Sequence, residues 1–286
     1  MKKFLFFVML LHASASFAQR LSVEAFAGLS NYQGDLQESK YTIAQSKGAI
    51  ALGLSYAITN KILIRGLATY GTIQGDDKYN SNAKLIDRNL NFRSKIYDAS
   101  LVGIYNFFDL DVKRFTPYIF AGISFFHFNP YTFDSTGNKV VLKLLSTEGE
   151  GLPQYPDRKE YNLNQFAIPF GGGIKFVVND NVTVGWEFRF HKTFTDYLDD
   201  VSKTYVDYNT LLAACGQMAV DLAYRADELK NGNPTYPGDG TLRGSEKYKD
   251  WFYFSGVTAS FRINSSKDGA YHGRRGSGVG CPTKVY

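Results

Sequence analysis

The sequence predicts an all-β fold, an eight-stranded antiparallel transmembrane β-barrel with long extracellular loops, one of which contains a short helix. Three observations lead to this prediction. Eight segments alternate between apolar and small or polar residues, and the connections between them are alternately short and long. Aromatic residues make up 16% of the chain, although the mean hydropathy is −0.24. Strands with an apolar outer face and a polar inner face are typical of membrane barrels.

The first 18 residues have the anatomy of a secretory signal. Lys2 and Lys3 supply a positive end, residues 4–11 are apolar, and Ser16 and Ala18 are small residues where a signal peptidase acts. The alternative, a membrane anchor, is disfavoured because the apolar run is too short to span a bilayer as a helix. We therefore predict a signal peptide over 1–18, an outer-membrane barrel over 19–264 and a flexible basic periplasmic tail over 265–286.

Composition excludes several classes of function. Removal of the two lysines lowers the formal net charge from +5 to +3, which is too mild to indicate a nucleic-acid partner. The two cysteines do not form a disulfide framework, and no Cys/His spacing typical of a metal site is present. No cofactor and no small-molecule substrate are expected.

The clearest strands form a hairpin over residues 165–176 and 182–190, joined by a short polar turn. Successive strand side chains point to opposite faces, so one face of this hairpin is apolar and the other is small, polar or charged. The apolar face carries Phe166, Ile168, Phe170, Ile174, Phe176, Val182, Val184, Trp186, Phe188 and Phe190. The remaining predicted strands cover residues 21–29, 49–58, 62–71, 96–107, 116–128 and 251–262. Residues 116–128 are aromatic on both sides, so their faces stay unassigned.

The connections predict the orientation of the barrel. Short turns lie near Thr59 and at residues 109–114 and 179–181, whereas the long connections are 32–48, 72–95, 129–161 and 193–250. In bacterial barrels the short turns are periplasmic and the long loops are extracellular. With an even number of strands, both termini are then expected in the periplasm.

Charged residues on the inner strand faces predict how the lumen is filled. The expected lumen charge network consists of Glu24, Arg65, Asp98, Lys175, Glu187, Arg189 and Arg262. A secreted soluble sandwich or lipocalin-like barrel also has short alternating strands. The core of such a soluble fold would rarely tolerate several unpaired ions, however, whereas a narrow membrane barrel can fill its lumen with paired charges. The interior of an eight-stranded barrel is just wide enough for side chains, so we expect a plugged lumen.

The last long loop contains a helical pattern. Apolar residues recur at helical spacing at Leu211, Cys215, Met218, Leu222, Ala226 and Leu229. Asp207, Asn209 or Thr210 is a candidate cap of its first turn. Two roles remain open for the apolar face of this helix: it packs on neighbouring loops, or it docks an extracellular partner. Asp196, Asp199 and Asp200 lack the spacing of a known calcium loop and are expected to be solvated.

The tail and the cysteines carry predictions about location. Lys267, Arg274, Arg275 and Lys284 make the Gly-rich tail basic, and we expect them to contact a periplasmic partner. Cys215 and Cys281 would then lie on opposite sides of the membrane and could not pair.

Catalysis has little support in the sequence. After the signal only His127, His191 and His272 are present. Nucleophilic catalysis needs a nucleophile within hydrogen-bond reach of such a base, and no Ser is singled out for this role. No catalytic residue is predicted.

Several stretches resemble a known family. They are residues 30–36 (SNYQGDL), 115–123 (FTPYIFAGI), 126–130 (FHFNP), 164–173 (NQFAIPFGGG), 189–202 and 250–256 (DWFYFSG). Together they resemble the PorG-type outer-membrane barrels of Bacteroidetes. The resemblance implies an eight-stranded barrel in the type IX secretion system, associated with a periplasmic ring of PorK and PorN. The basic Gly-rich tail after Arg262 departs from that pattern.

Two classes of function follow. The first is a non-enzymatic component of the secretion machinery that anchors or contacts a PorK/PorN-like ring. The second is a stand-alone outer-membrane barrel with a surface adhesion or structural role, with a lipid-modifying barrel enzyme as a further alternative. The expected partners are outer-membrane lipid and periplasmic secretion-ring proteins.

Overall fold

Eight long antiparallel strands close into a barrel in the computed structural model, which describes residues 21–37 and 42–263. Around the barrel the order is β1-β2-β3-β4-β5-β8-β9-β10, and β1 pairs with β10 to close it. The strand bounds are β1 (Leu21–Gln33), β2 (Lys47–Ala57), β3 (Ile62–Asp76), β4 (Asn91–Asn106), β5 (Phe115–His127), β8 (Asn164–Val177), β9 (Val182–Thr193) and β10 (Trp251–Arg262). The predicted fold class is confirmed. The predicted signal and tail, with Cys281, lie outside the described residues.

The faces of the strands follow the alternation of the sequence. Large apolar side chains point outward around the whole circumference, as at Ile50 and Leu52, which are 61% and 66% exposed. A continuous exposed apolar belt of this kind marks a surface that contacts lipid or protein. In β5, whose faces were unassigned, Ile119 and Ile123 point outward and Tyr118 points inward.

No helix within residues 21–37 and 42–263 is long and apolar enough to cross a membrane.

Several strands are longer than predicted, and β3 and β4 extend furthest beyond their predicted ends. β3 continues to Asp76 and β4 begins at Asn91, and their ladder holds from Gly71↔Ile96 to Asp76↔Asn91. The outward positions in this extension are polar, so the apolar signal stops while the hydrogen-bonded ladder continues. The wall of the barrel therefore rises above the apolar belt on this side.

A small hairpin was not predicted. β6 (Pro130–Phe133) and β7 (Lys139–Val141) pair with each other, and β6 also pairs with the extension of β4 through Arg93↔Tyr131. The hairpin widens the raised wall of the barrel.

The long connections pack together into one folded unit, here called the cap, made of residues 34–37, 42–46, 77–90, 128–163 and 194–250. The cap contains the β6–β7 hairpin, three α-helices and three short 3₁₀ helices. The α-helices are α1 (Ala83–Arg88), α2 (Tyr208–Cys215) and α3 (Gln217–Ala223), and the 3₁₀ helices are Asp77–Tyr79, Leu142–Leu145 and Ala226–Glu228. At the opposite end the turns are short, and the Asn60 side chain donates a 3.0 Å hydrogen bond to Asp109 of the next turn.

The single helix predicted in the last loop is wrong. Gly216 adopts φ +82° between α2 and α3 and so interrupts the helical path. Asp207, one of the three candidate caps, accepts from the backbone N–H of Thr210. Leu211 and Leu222 are buried, whereas Met218 is 46% exposed. The apolar face of these helices packs mainly on the rest of the cap.

Candidate functional site in the lumen and the cap

The lumen is organised around Glu187 of β9. Its Oε2 lies 2.6 Å from Nη1 of Arg65 on β3 and accepts a 2.7 Å hydrogen bond from the hydroxyl of Tyr118 on β5. Its Oε1 accepts from Nε and Nη2 of Arg189 at 3.0 and 2.9 Å. All four side chains are buried, so one carboxylate ties three strands together across the interior. Charge-assisted, bidentate bonds of this type are among the strongest in proteins.

Aromatic rings fill the space around these charges. The guanidinium of Arg65 lies 5.0 Å from the centre of the Phe120 ring. That of Arg189 lies between Phe26 and Phe254, at 5.2 and 5.7 Å. Such cation–π contacts are stronger when the cation is desolvated.

Two glycines of β8 make room for this packing. A Cβ on Gly171 would lie 2.8 Å from the Phe120 ring, and one on Gly173 would lie 2.9 Å from the ring of Tyr118. The inner face of β8 is therefore smooth enough for both rings to lie against the wall. This explains why Gly171 and Gly173 stand in the middle of a strand.

Lys175 and Glu24 complete the charge set towards the short-turn end. Glu24 accepts a 2.6 Å hydrogen bond from the Ser55 hydroxyl. The ammonium of Lys175 lies 4.4 Å from the centre of the Tyr118 ring. Both side chains are buried.

Asp98 and His191 meet near the cap end of the lumen. His191 Nε2 lies 3.5 Å from Asp98 Oδ2, and the imidazole stacks on Phe252 with ring centres 4.4 Å apart. Among the described residues, both Asp98 oxygens, both His191 ring nitrogens and Ser124 Oγ are buried without a protein hydrogen-bond partner. Buried polar groups of this kind are normally satisfied by water.

Six of the seven predicted network residues are buried inside the barrel, whereas the seventh, Arg262, is not fully buried. Arg262 is half-buried at the short-turn end of β10, where its backbone N–H donates to Asn181. The prediction missed Tyr118, Phe26 and Phe120, which pack directly on the charged groups. Phe26 lies at an inner position of the alternating strand β1, so position, rather than polarity, was the usable signal there. Tyr118 and Phe120 lie in β5, whose faces the sequence did not assign.

The cap is also held by buried charges. Arg243 bonds Glu148 Oε1 at 3.0 Å and the Asp200 carbonyl at 2.7 Å through Nη1. Glu148 in turn accepts from the backbone N–H groups of Ser202 and Lys203 at 3.0 and 2.9 Å. These bonds join residues 128–163 to residues 194–250.

A second arginine joins the remaining cap segments. Arg88 forms two bonds to Asp77, at 2.7 and 2.8 Å, and donates to the carbonyl oxygens of Asp35 and Arg243. Every long connection of the barrel is therefore linked to at least one other.

The expectation that Asp196, Asp199 and Asp200 are solvated is wrong, because all three are buried. Asp199 accepts from the hydroxyl of Tyr32, and Asp200 from those of Thr147 and Tyr161, the latter two at 2.7 Å. Burial raises the pKa of Asp196 to about 7 and that of Asp200 to about 6. Within the described ranges, no three His, Cys, Asp or Glu side chains are arranged to hold a metal ion.

The other residues singled out earlier lie at the periphery. His127 sits on the outer rim, with Nδ1 2.9 Å from Asn164 and its ring beside Tyr97. Cys215 is half-buried at the end of α2 and is a free thiol. His272 lies outside the described residues.

A lipid-facing belt, a filled lumen and a folded cap define a closed eight-stranded transmembrane barrel. The chain belongs to the family described as "Domain of unknown function (DUF6089)", whose model matches residues 1–224.

Similar solved structures are small outer-membrane proteins. Neisserial surface protein A is 11% identical, with 85% of this chain and 96% of that chain covered and a TM-score of 0.40. OprG from Pseudomonas aeruginosa is 12% identical, with 85% and 97% covered and a TM-score of 0.40. Ail, the attachment invasion locus protein of Yersinia pestis, is 9% identical, with 85% and 99% covered and a TM-score of 0.38. No curated protein matches the sequence.

Proposed function

We propose that this protein is a non-enzymatic outer-membrane barrel that serves as a PorG-like component of the type IX secretion machinery. In this role the barrel anchors a periplasmic ring of the PorK/PorN type to the membrane. The observation that carries the proposal is the closed interior. The Arg65–Glu187–Arg189 cluster blocks the lumen, and the cap covers one end. A barrel closed in this way is suited to holding a partner rather than to passing a solute.

The resemblance of several strand-end stretches to PorG-type barrels supplies the secretion role. The ring would contact the short-turn rim, where the Asn60–Asp109 bond joins two turns. Lys267, Arg274, Arg275 and Lys284 of the tail would add positive charge to the same contact. The cap would then face the outside of the cell.

Affinity purification in mild detergent tests the proposal. We expect periplasmic ring proteins to co-purify with the full chain, and to co-purify less after deletion of residues 265–286. A barrel that purifies alone, under conditions in which the ring itself stays assembled, would refute the secretion role. Ring association that is unchanged by the deletion would exclude a contribution of the tail to the contact, but not the contact of the barrel with the ring.

Orientation has its own test. A membrane-impermeant thiol reagent applied to intact cells should label Cys215 in the cap and leave Cys281 in the tail unlabelled. Equal labelling of both thiols would contradict the proposed topology. Permeabilised cells provide the control for reactivity.

A stand-alone surface role is the second candidate, and the cap favours it. Several large apolar side chains stand exposed there, including Ile43, Leu144, Leu242 and Tyr248. Binding of intact cells to host or neighbouring cells, lost when these four residues are changed to Ser, would support adhesion. For the lipid-modifying alternative, His191 could not act as the base, because it is completely buried beneath the cap.

A further inference from the structure

A band of positive charge lies on the outer surface of the barrel, directly above the apolar belt on the cap side. Along the outer face of β4 the sequence changes from Leu101 and Ala99 through Tyr97 to Lys95 and Arg93, and all five point away from the lumen. Tyr97 is 52% exposed and pairs with Tyr70 of β3 in an aromatic girdle. Such girdles mark the level of the lipid headgroups. Lys95 and Arg93 therefore lie at and just above that level.

The β6–β7 hairpin adds a third cation to the same surface. Lys139 of β7 pairs with Phe133 of β6, and Arg93 of β4 pairs with Tyr131. The guanidinium of Arg93 lies 5.5 Å from the Phe133 ring, and the ammonium of Lys139 lies 3.9 Å from the Tyr131 ring. The two aromatic rings pack on each other with their centres 5.8 Å apart, and each ring carries one of the two cations.

These cations have no carboxylate partner in the described part of the chain. None of Arg93, Lys95 and Lys139 takes part in an ion pair there. The acids of these elements and of the adjoining turn do not face the band or already have partners, and Asp98 of β4 points into the lumen. Asp76 of β3 lies 2.6 Å from Lys78, and Asp134 accepts the N–H groups of its own turn. The band is thus left with uncompensated positive charge at headgroup height.

We propose that Arg93, Lys95 and Lys139 bind the phosphate groups of an anionic glycolipid in the outer leaflet. Arg93 supplies a planar, forked donor suited to a phosphate, and the two lysines add point charges on either side. The raised wall of β3 and β4, together with the hairpin, gives the headgroup a rigid surface to lie against. The inference rests on the proposed placement of the cap outside the cell.

The test uses the mature full chain inserted into phosphatidylcholine nanodiscs that contain a small fraction of bisphosphorylated lipid A. Native mass spectrometry of protein released from the discs reports the lipid A that it retains. We expect the triple variant R93Q/K95Q/K139Q to retain on the order of tenfold less, because each cation near a charged surface contributes a modest attraction. Retention by the wild type should fall as salt is raised.

A matched variant separates position from net charge. K61Q/K113Q/R114Q removes an equal number of positive charges, but from the short-turn rim, and should leave lipid A retention unchanged. R93K/K139R, which keeps the charges, should retain most of the lipid. Equal losses in the two triple variants would overturn the inference, as would undiminished binding of dephosphorylated lipid A. If millimolar inorganic phosphate displaces the lipid, the site recognises free phosphate rather than a membrane glycolipid, and this result would overturn the inference as well.

Insertion is scored separately by heat-modifiable mobility in gel electrophoresis. Failure of the wild type to insert would count against the membrane barrel itself. Normal insertion of every variant with unaltered lipid retention would count against the charge band alone.

Discussion

At the scale of single residues, Glu187 lies at the centre of the charge cluster in the lumen. Two arginines and a tyrosine converge on its carboxylate, and none of these side chains reaches solvent. A buried charge that loses its partner is far more costly than a surface charge, because it retains its desolvation penalty.

Glu187→Gln should therefore destabilise the barrel by about 3–5 kcal/mol, since it leaves two buried arginines with only a neutral acceptor. Urea unfolding in phospholipid vesicles, followed by intrinsic fluorescence, measures the change. Glu160→Gln is the matched control, because that side chain is 67% exposed and makes only a 3.4 Å contact with Lys143. Equal unfolding midpoints for the two variants would contradict the assigned role of Glu187.

Gly171 is constrained by space rather than by charge. In Gly171→Ala the new Cβ would clash with the carbonyl oxygen of Phe188 and lie 2.8 Å from the Phe120 ring. We expect a loss of about 1–3 kcal/mol in the same unfolding experiment. Gly48→Ala should be close to neutral, because a Cβ there meets nothing within 4 Å. A neutral Gly171→Ala would mean that the Phe120 ring does not pack on this wall.

At the scale of elements, β9 shows how one strand serves two environments. Its inner side carries Glu187, Arg189 and His191, whereas its outer side carries Trp186, Phe188 and Phe190. The outer side chains of this strand therefore face lipid, and its inner side chains take part in the charged groups of the lumen.

Phe188→Arg places a charge on the lipid side of this strand. Near the middle of the bilayer it should cost roughly 2–4 kcal/mol, measured as the free energy of unfolding in vesicles. Phe194→Arg is the control, because Phe194 is also exposed but follows the end of β9. A Phe188→Arg protein as stable as the control would mean that this face does not contact lipid.

The strands could be predicted from the sequence because successive residues of a membrane-barrel strand face lipid and lumen in turn, and so alternate between apolar and small or polar types. The alternation in residues 251–262 gave both ends of β10 correctly. The cap could not be predicted in this way, because its contacts are distant in sequence. Asp199 and Asp200 looked solvated, yet their hydroxyl partners Tyr32, Thr147 and Tyr161 lie 167, 53 and 39 residues away. Gly216 likewise broke a helix whose apolar spacing continued across it.

At the scale of the whole molecule, the barrel and the cap differ in how they balance charge. In the lumen the central carboxylate of Glu187 is matched by two arginines. In the cap Glu150, Asp196 and Asp250 each have one buried oxygen without a hydrogen-bond partner among the described residues. Burial raises the pKa of Glu150 to about 8 and that of Asp250 well above its usual range.

The cap should therefore loosen as the pH rises. In the opened cap Glu150 and Asp196 titrate near their ordinary values of about 4, but in the closed cap they hold protons up to about pH 8 and 7. Stability that is present below pH 4 is thus lost progressively between about pH 4 and 8. Hydrogen exchange, corrected for intrinsic rates, should show cap amides exchanging faster at pH 9 than at pH 5, while the amides of β9 stay protected.

The variant E150Q/D196N provides the control for this pH dependence. It removes two of the titrating groups and keeps similar side-chain volumes, so its cap exchange should change less with pH than that of the wild type. A pH response identical to the wild type would assign the effect to other groups.

The junction between β1 and β10 has a consequence for how the protein is made. The two strands meet at Gly28 and Gly256, where a Cβ on Gly28 would lie 2.6 Å from the Gly256 Cα, so the backbones touch directly. β1 is the first strand along the chain and β10 the last, so the barrel closes only when β10 reaches β1. Until then β1 keeps a free edge, and in lipid each unpaired backbone group costs several kcal/mol. Insertion of the barrel is therefore completed only when the final strand pairs with the first.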